Sequence, residues 1–126
     1  IGEYAAVVAA HALSFDQALK AVRTRGQAMQ SAVPVGEGGM TAVLGLDDQQ
    51  VRALCDWTEK TSGFRPVEPA NFNSPGQVVI SGSQKALNWL KENFDPAQIP
   101  GETKRAKLIP LTVSAPFHCR LMKPAI

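Results

Sequence analysis

Two side chains sit where their chemistry demands an explanation. His118 lies in Ser114-Ala115-Pro116-Phe117-His118-Cys119, just past a stretch that reads as a strand at about 106–114. Pro116 stiffens the backbone there and stops further strand pairing. An imidazole on a stiff loop at a strand end is well placed for proton transfer, work typically worth about 10²–10⁴-fold in rate. The plainer alternative is a histidine that only hydrogen-bonds locally. The second residue is Arg25. At helical steps around it stand Ala18, Ala21, Val22, Ala28, Met29 and Ala32, all apolar. The pattern places Arg25 inside a buried stripe. A buried guanidinium requires an anion, and its planar fork suits a carboxylate held by two hydrogen bonds. That anion is either an Asp or Glu of this chain or a ligand; a third option is a stem that carries the charge out to water. Cys119 is expected to be a plain buried cysteine, because adjacent residues of an extended segment point to opposite sides and keep it from His118.

The elements that must position these residues follow from periodicity and caps. Residues 4–12 are apolar nearly all round and read as a helix buried on most sides, with His11 favoured near its end by the helix dipole. Ser14 with Gln17 three residues on forms a capping box for a second helix that runs to about Ala32, before Pro34. Residues 40–46 read as a strand. Asp47 or Asp48 then caps a helix with Val51, Leu54, Cys55 and Thr58 on its apolar face, ended by Gly63. Two strands, 66–73 and 77–82, flank the turn Asn73-Ser74-Pro75-Gly76. Ser83 caps a helix carrying Ala86, Leu87, Leu90 and Phe94. With the strand at 106–114 the order is β-α-β-β-α-β, that of a ferredoxin-like split βαβ unit.

The totals exclude several classes. In 126 residues, 44% hydrophobic and 19% charged, the chain has a globular balance. A net charge of +2, with no Lys/Arg block, gives no footprint for nucleic acid. No apolar run reaches the roughly 18 residues of a membrane span, and no signal-peptide pattern opens the chain. Two distant cysteines and no CxxC predict neither a disulfide framework nor a zinc site, with a reducing cytosol as the expected compartment. No cluster of ligand residues suggests a metal.

Five strings, in order, carry a family resemblance: GEYAAVVAAHALSFDQAL, VRTRGQAMQ, VPVGEGGM, ANFNSPGQVVISG and VSAPFHCRLMKPA. Together they span essentially the whole chain, which resembles the bacterial malonyl-CoA:acyl carrier protein transacylases. The resemblance implies a ping-pong acyl transfer. Malonyl-CoA acylates a serine, and the phosphopantetheine thiol of acyl carrier protein then accepts the malonyl group. The family's serine precedes the xGEY string, so its position falls immediately before Ile1, and the chain reads as an internal piece of a longer protein. By the same resemblance His118 takes the serine proton and Arg25 grips the free malonyl carboxylate. Ile1 lends its backbone N–H to the oxyanion hole. Phe117 leaves little room for an α-methyl group, a discrimination worth only about 1–3 kcal/mol. Met29 lines the acyl pocket or is plain core. Asn71 and Asn73 lie near the cleft, although Asn73 is equally explained as a turn residue. No cofactor is implied beyond the coenzyme A thioester and the partner's phosphopantetheine.

The expected fold is α/β: a ferredoxin-like subdomain, 38–112, inserted in an α/β-hydrolase-like acyltransferase core to which 1–37 and 113–126 belong. The site is expected in the cleft between them. The loop from Phe94 to Lys107 looks longer than is usual for the family. Lys104, Arg105, Lys107, Arg120 and Lys123 are candidate contacts for the carrier protein. A polyketide acyltransferase shares the chemistry, and an inactive carrier-binding fragment is the non-enzymatic alternative. Incubated alone with labelled malonyl-CoA, the 126-residue chain is expected to gain no stable acyl label; labelling comparable to a complete enzyme would contradict the serine placement.

Overall fold

A computed structural model describes residues 2–99, 101, 105–113 and 115–126. The elements are α1 (Glu3–Ala9), α2 (Phe15–Ala32), β1 (Gly38–Leu44), α3 (Asp48–Ser62), β2 (Val67–Ser74), β3 (Gln77–Ser83), α4 (Gln84–Asn93) and β4 (Lys107–Pro110). Two short 3₁₀ helices, Pro96–Gln98 and Arg120–Ala125, complete the set.

The helices start where their caps direct. Ser14 and Gln17 bond reciprocally at 3.2 and 3.1 Å, and Asp47 and Gln50 at 2.7 and 2.9 Å, so both boxes satisfy backbone donors that the first turn leaves free. Gly63, at φ 75°, closes α3 in the left-handed conformation that glycine tolerates best. Ser83 occupies the N-cap position of α4, but its side chain makes no capping hydrogen bond.

Among the described residues one antiparallel sheet forms, in the order β2-β3-β1-β4. Helices α3 and α4 pack on one of its faces. Val43, Val78 and Ile80 from the strands meet Val51, Leu54 and Leu90 from the helices in a single core. Gly82 stands where β3 passes β2: a Cβ there would lie 2.0 Å from the Pro66 carbonyl oxygen. β4 is shorter than the period-two pattern predicts, because its pairing with β1 ends at Pro110 and proline cannot continue a ladder as a donor. Beyond it the Leu111 N–H still reaches the Met40 carbonyl at 2.9 Å.

Two expectations about the first helices are corrected. α1 stops at Ala9 and buries no residue. Among the described residues its main packing partner is α2. His11 sits at φ 59°. Its N–H bonds to the Val8 carbonyl at 3.0 Å, and the Ala12 N–H to that of Val7 at 3.1 Å. This is a Schellman ending with histidine where glycine is usual. In α2 only Ala18 is fully buried. Val22 is 47% exposed and Arg25 is exposed. The stripe is covered mainly by the 3₁₀ helix Arg120–Ala125, which is too short to close it.

The core also carries a titration. Burial first, then the charges of Asp56, Glu59 and Glu68, pushes the Cys55 thiol up from 9.0 to about 12. The unfolded chain ionises this thiol near 9.0 while the folded chain keeps it protonated to about 12. Its contribution to stability is therefore complete below the lower value and is lost as pH climbs to the higher one. Urea unfolding should show wild type losing stability faster than Cys55→Ala above about pH 9, by at most about 1.4 kcal/mol per pH unit. Parallel pH curves would contradict a protonated Cys55.

Candidate active site

The sheet face opposite α3 and α4 borders a cavity of about 580 Å³. Five residues to which the resemblance gives a catalytic or substrate-binding place line it: Arg25, Met29, Asn71, Phe117 and His118. They come from three separate parts of the chain.

Helix α2 supplies Arg25 and Met29, about one turn apart. The guanidinium is not enclosed in an apolar core as its stripe predicts. It stands exposed on the cavity wall, where α2 has no cover. Among the described residues it forms no ion pair with a carboxylate, so the buried internal pair that would explain it structurally is absent.

Strand β2 supplies Asn71, by way of a register shift. Pro69 pairs with Ile80, yet Asn71 pairs with Val79, so Ala70 is an inserted residue. Directly paired residues share a face, and Val79 lines the cavity. The bulge thus turns Asn71, not Ala70, toward the site, a use that bulges commonly serve. A second shift between Phe72 and Ser74 removes Asn73 from this phase. Asn73 is exposed and lines a separate depression with Asp47 and Gly76. The structure therefore does not bring it to Arg25 and His118.

The segment after β4 supplies Phe117 and His118. Ala115 and Pro116 are buried. The Pro116 ring lies on Gly38: a Cβ on that glycine would be 2.5 Å from Pro116 Cγ. The Phe117 N–H donates to the Ala115 carbonyl at 3.1 Å, and the Met122 N–H to that of Cys119 at 2.9 Å. His118 is exposed and holds φ 59°, a left-handed conformation costing about 1–2 kcal/mol in a non-glycine residue. The Cys119 thiol, pushed up by burial, donates to the Pro116 carbonyl at 3.2 Å. That bond spans the histidine and leaves the sulfur poorly suited to act as a thiolate.

Arg120, a candidate contact for the carrier protein, is half exposed and ion-paired within the chain. Its Nη2 pairs with Glu59 at 2.7 Å, its Nε pairs with Glu68, and its backbone N–H donates to Glu68 Oε2 at 2.8 Å. Lys123 lines the cavity, while Arg105 and Lys107 are exposed. Ile1 and Lys104 lie outside the described residues.

Sequence reasoning did not point to Met40, Val79 and Met122, which add apolar wall. The strand alternation held the signal for two of them: Met40 and Val79 are out of phase with the core residues Val43, Val78 and Ile80. Among the described residues the ionisable side chains on the wall are Arg25, His118, Lys123 and Cys119; none is a carboxylate. Such a site favours an anionic ligand with an apolar body. Among the described residues no three His, Cys, Asp or Glu side chains gather as metal ligands would, and no helix is long and apolar enough to cross a membrane.

Comparison with known proteins gives a consistent picture. Residues 1–110 match the acyl transferase domain family. The malonyl CoA-acyl carrier protein transacylase of Salmonella typhimurium is 46% identical over 125 residues, which is 99% of this chain and 38% of that protein. The acyl-carrier-protein S-malonyltransferase structure from Burkholderia pseudomallei superposes with a TM-score of 0.76 at 51% identity, over 98% of this chain and 38% of its own. A type II PKS acyl-carrier protein in complex with its malonyl-transacylase matches with a TM-score of 0.76 and 41% identity, over 98% and 37%. The chain thus spans a little over a third of the length of the relatives it matches.

The contact of Pro116 with Gly38 predicts how the His118 turn is held. Gly38→Ala should displace the ring at a cost of about 1–3 kcal/mol. Amide exchange at Met122 should then rise about 10-fold relative to core amides of β3. Unchanged protection would show that the proline does not anchor the turn.

Proposed function

The chain belongs to the acyl transferase domain family, and on that footing we propose that it is part of a malonyl-CoA:acyl carrier protein transacylase. The observation that carries the reading is the meeting of Arg25, Met29, Asn71, Phe117 and His118 on one cavity. They are drawn from positions up to 93 residues apart, and resemblance had assigned each a part in the same reaction.

In that reaction a ring nitrogen of His118 takes the proton of the family's serine as the serine oxygen attacks the malonyl thioester. The carbonyl oxygen becomes an oxyanion, to which the backbone N–H of Ile1 would donate. Collapse expels the coenzyme A thiol with the proton returned by His118, leaving a malonyl ester. The thiol of the carrier protein's phosphopantetheine then attacks that ester by the same steps in reverse. Arg25 holds the free carboxylate throughout. An exposed guanidinium with no carboxylate partner among the described residues, on a wall where they place no acidic side chain, supports this role. Met29 and Phe117 shape the space for the three-carbon acyl group, and Asn71 offers a neutral hydrogen-bonding group beside it.

The strand order and the packing of both sheet-flanking helices on one face support a ferredoxin-like subdomain at 38–112. The segments 1–37 and 113–126 then belong to an α/β-hydrolase-like catalytic domain. Two free, buried cysteines suit a reducing cytoplasm, and the partner is an acyl carrier protein of fatty acid synthesis. A polyketide pathway is the second reading, favoured by the type II PKS complex among the similar structures.

The test separates carboxylate binding from general disruption. In the complete enzyme, Arg25→Ala should lower kcat/KM for malonyl-CoA by about 10–100-fold, the worth of a charge-assisted pair, and leave acetyl-CoA within about 3-fold, since acetyl lacks the carboxylate. Equal losses on both substrates would remove Arg25 from this role.

A further inference from the structure

We propose that Arg120 is a positioning residue for the His118 imidazole, acting through Glu59 and Glu68. The inference rests on the proposed role of His118. Arg120 does not line the cavity, so any effect on the reaction must pass through the chain that it holds.

Its side chain is half exposed, yet it makes more contacts than a single surface pair does. Both the side chain and the main chain of Arg120 are fixed, the guanidinium by Glu59 and Glu68 and the backbone N–H by Glu68 at 2.8 Å. One of the two carboxylates is itself held by a further bond. Glu59, whose side chain is 14% exposed, also accepts the Val67 N–H at 2.9 Å. It projects from α3, and Glu68 from β2. One guanidinium thus ties a helix, a strand and the 3₁₀ helix that begins at Arg120. Two carboxylates on one cation leave the Arg little freedom to rotate away, and its planar fork is matched to them.

His118 sits midway between two anchors. Two residues before it, Pro116 is buried against Gly38 of β1. Two residues after it, Arg120 is bound to β2 and α3. The residues between have little slack, and His118 is held at φ 59°. Release of the second anchor lets the turn relax and the ring move. A proton acceptor must be placed within about 0.5 Å to be effective, and a misplacement near 1 Å can cost about 10²-fold in rate.

The experiment uses the complete enzyme, with its serine in place, and compares Arg120→Met, Glu68→Gln, the double variant and His118→Ala. Arg120→Met should lower kcat by about 10–100-fold with KM for malonyl-CoA within about 2-fold, the split expected of lost positioning and retained binding. The double variant should fall no further than the worse single one, because both remove the same clamp. In ¹⁵N relaxation, His118 should gain mobility while His11, remote from the clamp, does not. If Arg120→Met does not fold, Glu68→Gln carries the same test, since it keeps an acceptor for the backbone N–H and removes the charge. An unchanged kcat in a folded clamp variant, with His118→Ala inactive, overturns the inference and leaves the proposed function standing. Matching changes in kcat and KM, with both histidines mobilised alike, would mean general loosening and also overturn it. A fully active His118→Ala removes the proposed function and this inference with it.

Discussion

Between Pro116 and Arg120 a short run of chain is pressed across the open face of the sheet, and that contact sets His118 beside the helix that carries Arg25. Pro116 occupies the hollow over Gly38, and Arg120 reaches the carboxylates of Glu59 and Glu68. The 3₁₀ helix that follows then becomes the main packing surface for α2. Arg25 and His118 face one cavity because both are referenced to the same five or six residues. The helix does not need its own large interface with the sheet. It needs only this strip to stay in place.

The chemistry of the cavity follows from what lines it. Met29, Met40, Val79 and Met122 give an apolar wall with adaptable side chains. Against that wall stand a guanidinium, an imidazole and an ammonium, with no acidic side chain among the described residues to neutralise them. Such a surface attracts an anion and also accepts a short hydrocarbon, as a dicarboxylic acyl group requires. A carboxylate in the wall would repel such a ligand and would claim Arg25 for itself. The acidic side chains nearest in function, Glu59 and Glu68, are instead engaged by Arg120.

Sequence and structure agree best where a signal acts within one turn. The capping boxes of Ser14 and Asp47 form as written, since their donors and acceptors are three residues apart on the same helix start. Gly63 ends α3 and the Pro75-Gly76 turn joins β2 to β3 for equally local reasons. Agreement fails where the pattern presumed a partner. The stripe around Arg25 is apolar, but apolarity does not fix what covers it, and among the described residues, in a chain a little over a third of its relatives' length, the short 3₁₀ helix leaves part of it open. Asn71 and Asn73, two residues apart, should share a face in a regular strand. Asn73 is itself the residue inserted between Phe72 and Ser74, which takes it out of the phase of Asn71, and single residues give no clear sign of a bulge.

The order of helices and strands, their caps, the core stripe of α3 and the family strings were therefore fixed by the amino-acid sequence itself, because each depends on neighbours along the chain. The exposure of Arg25 on a cavity wall, the choice of Asn71 over Asn73, and the engagement of Arg120 by residues 52 and 61 positions away were decided only by the tertiary structure. Burial and ion pairing depend on which surfaces meet across the sheet, and periodicity along the chain carries no record of that meeting.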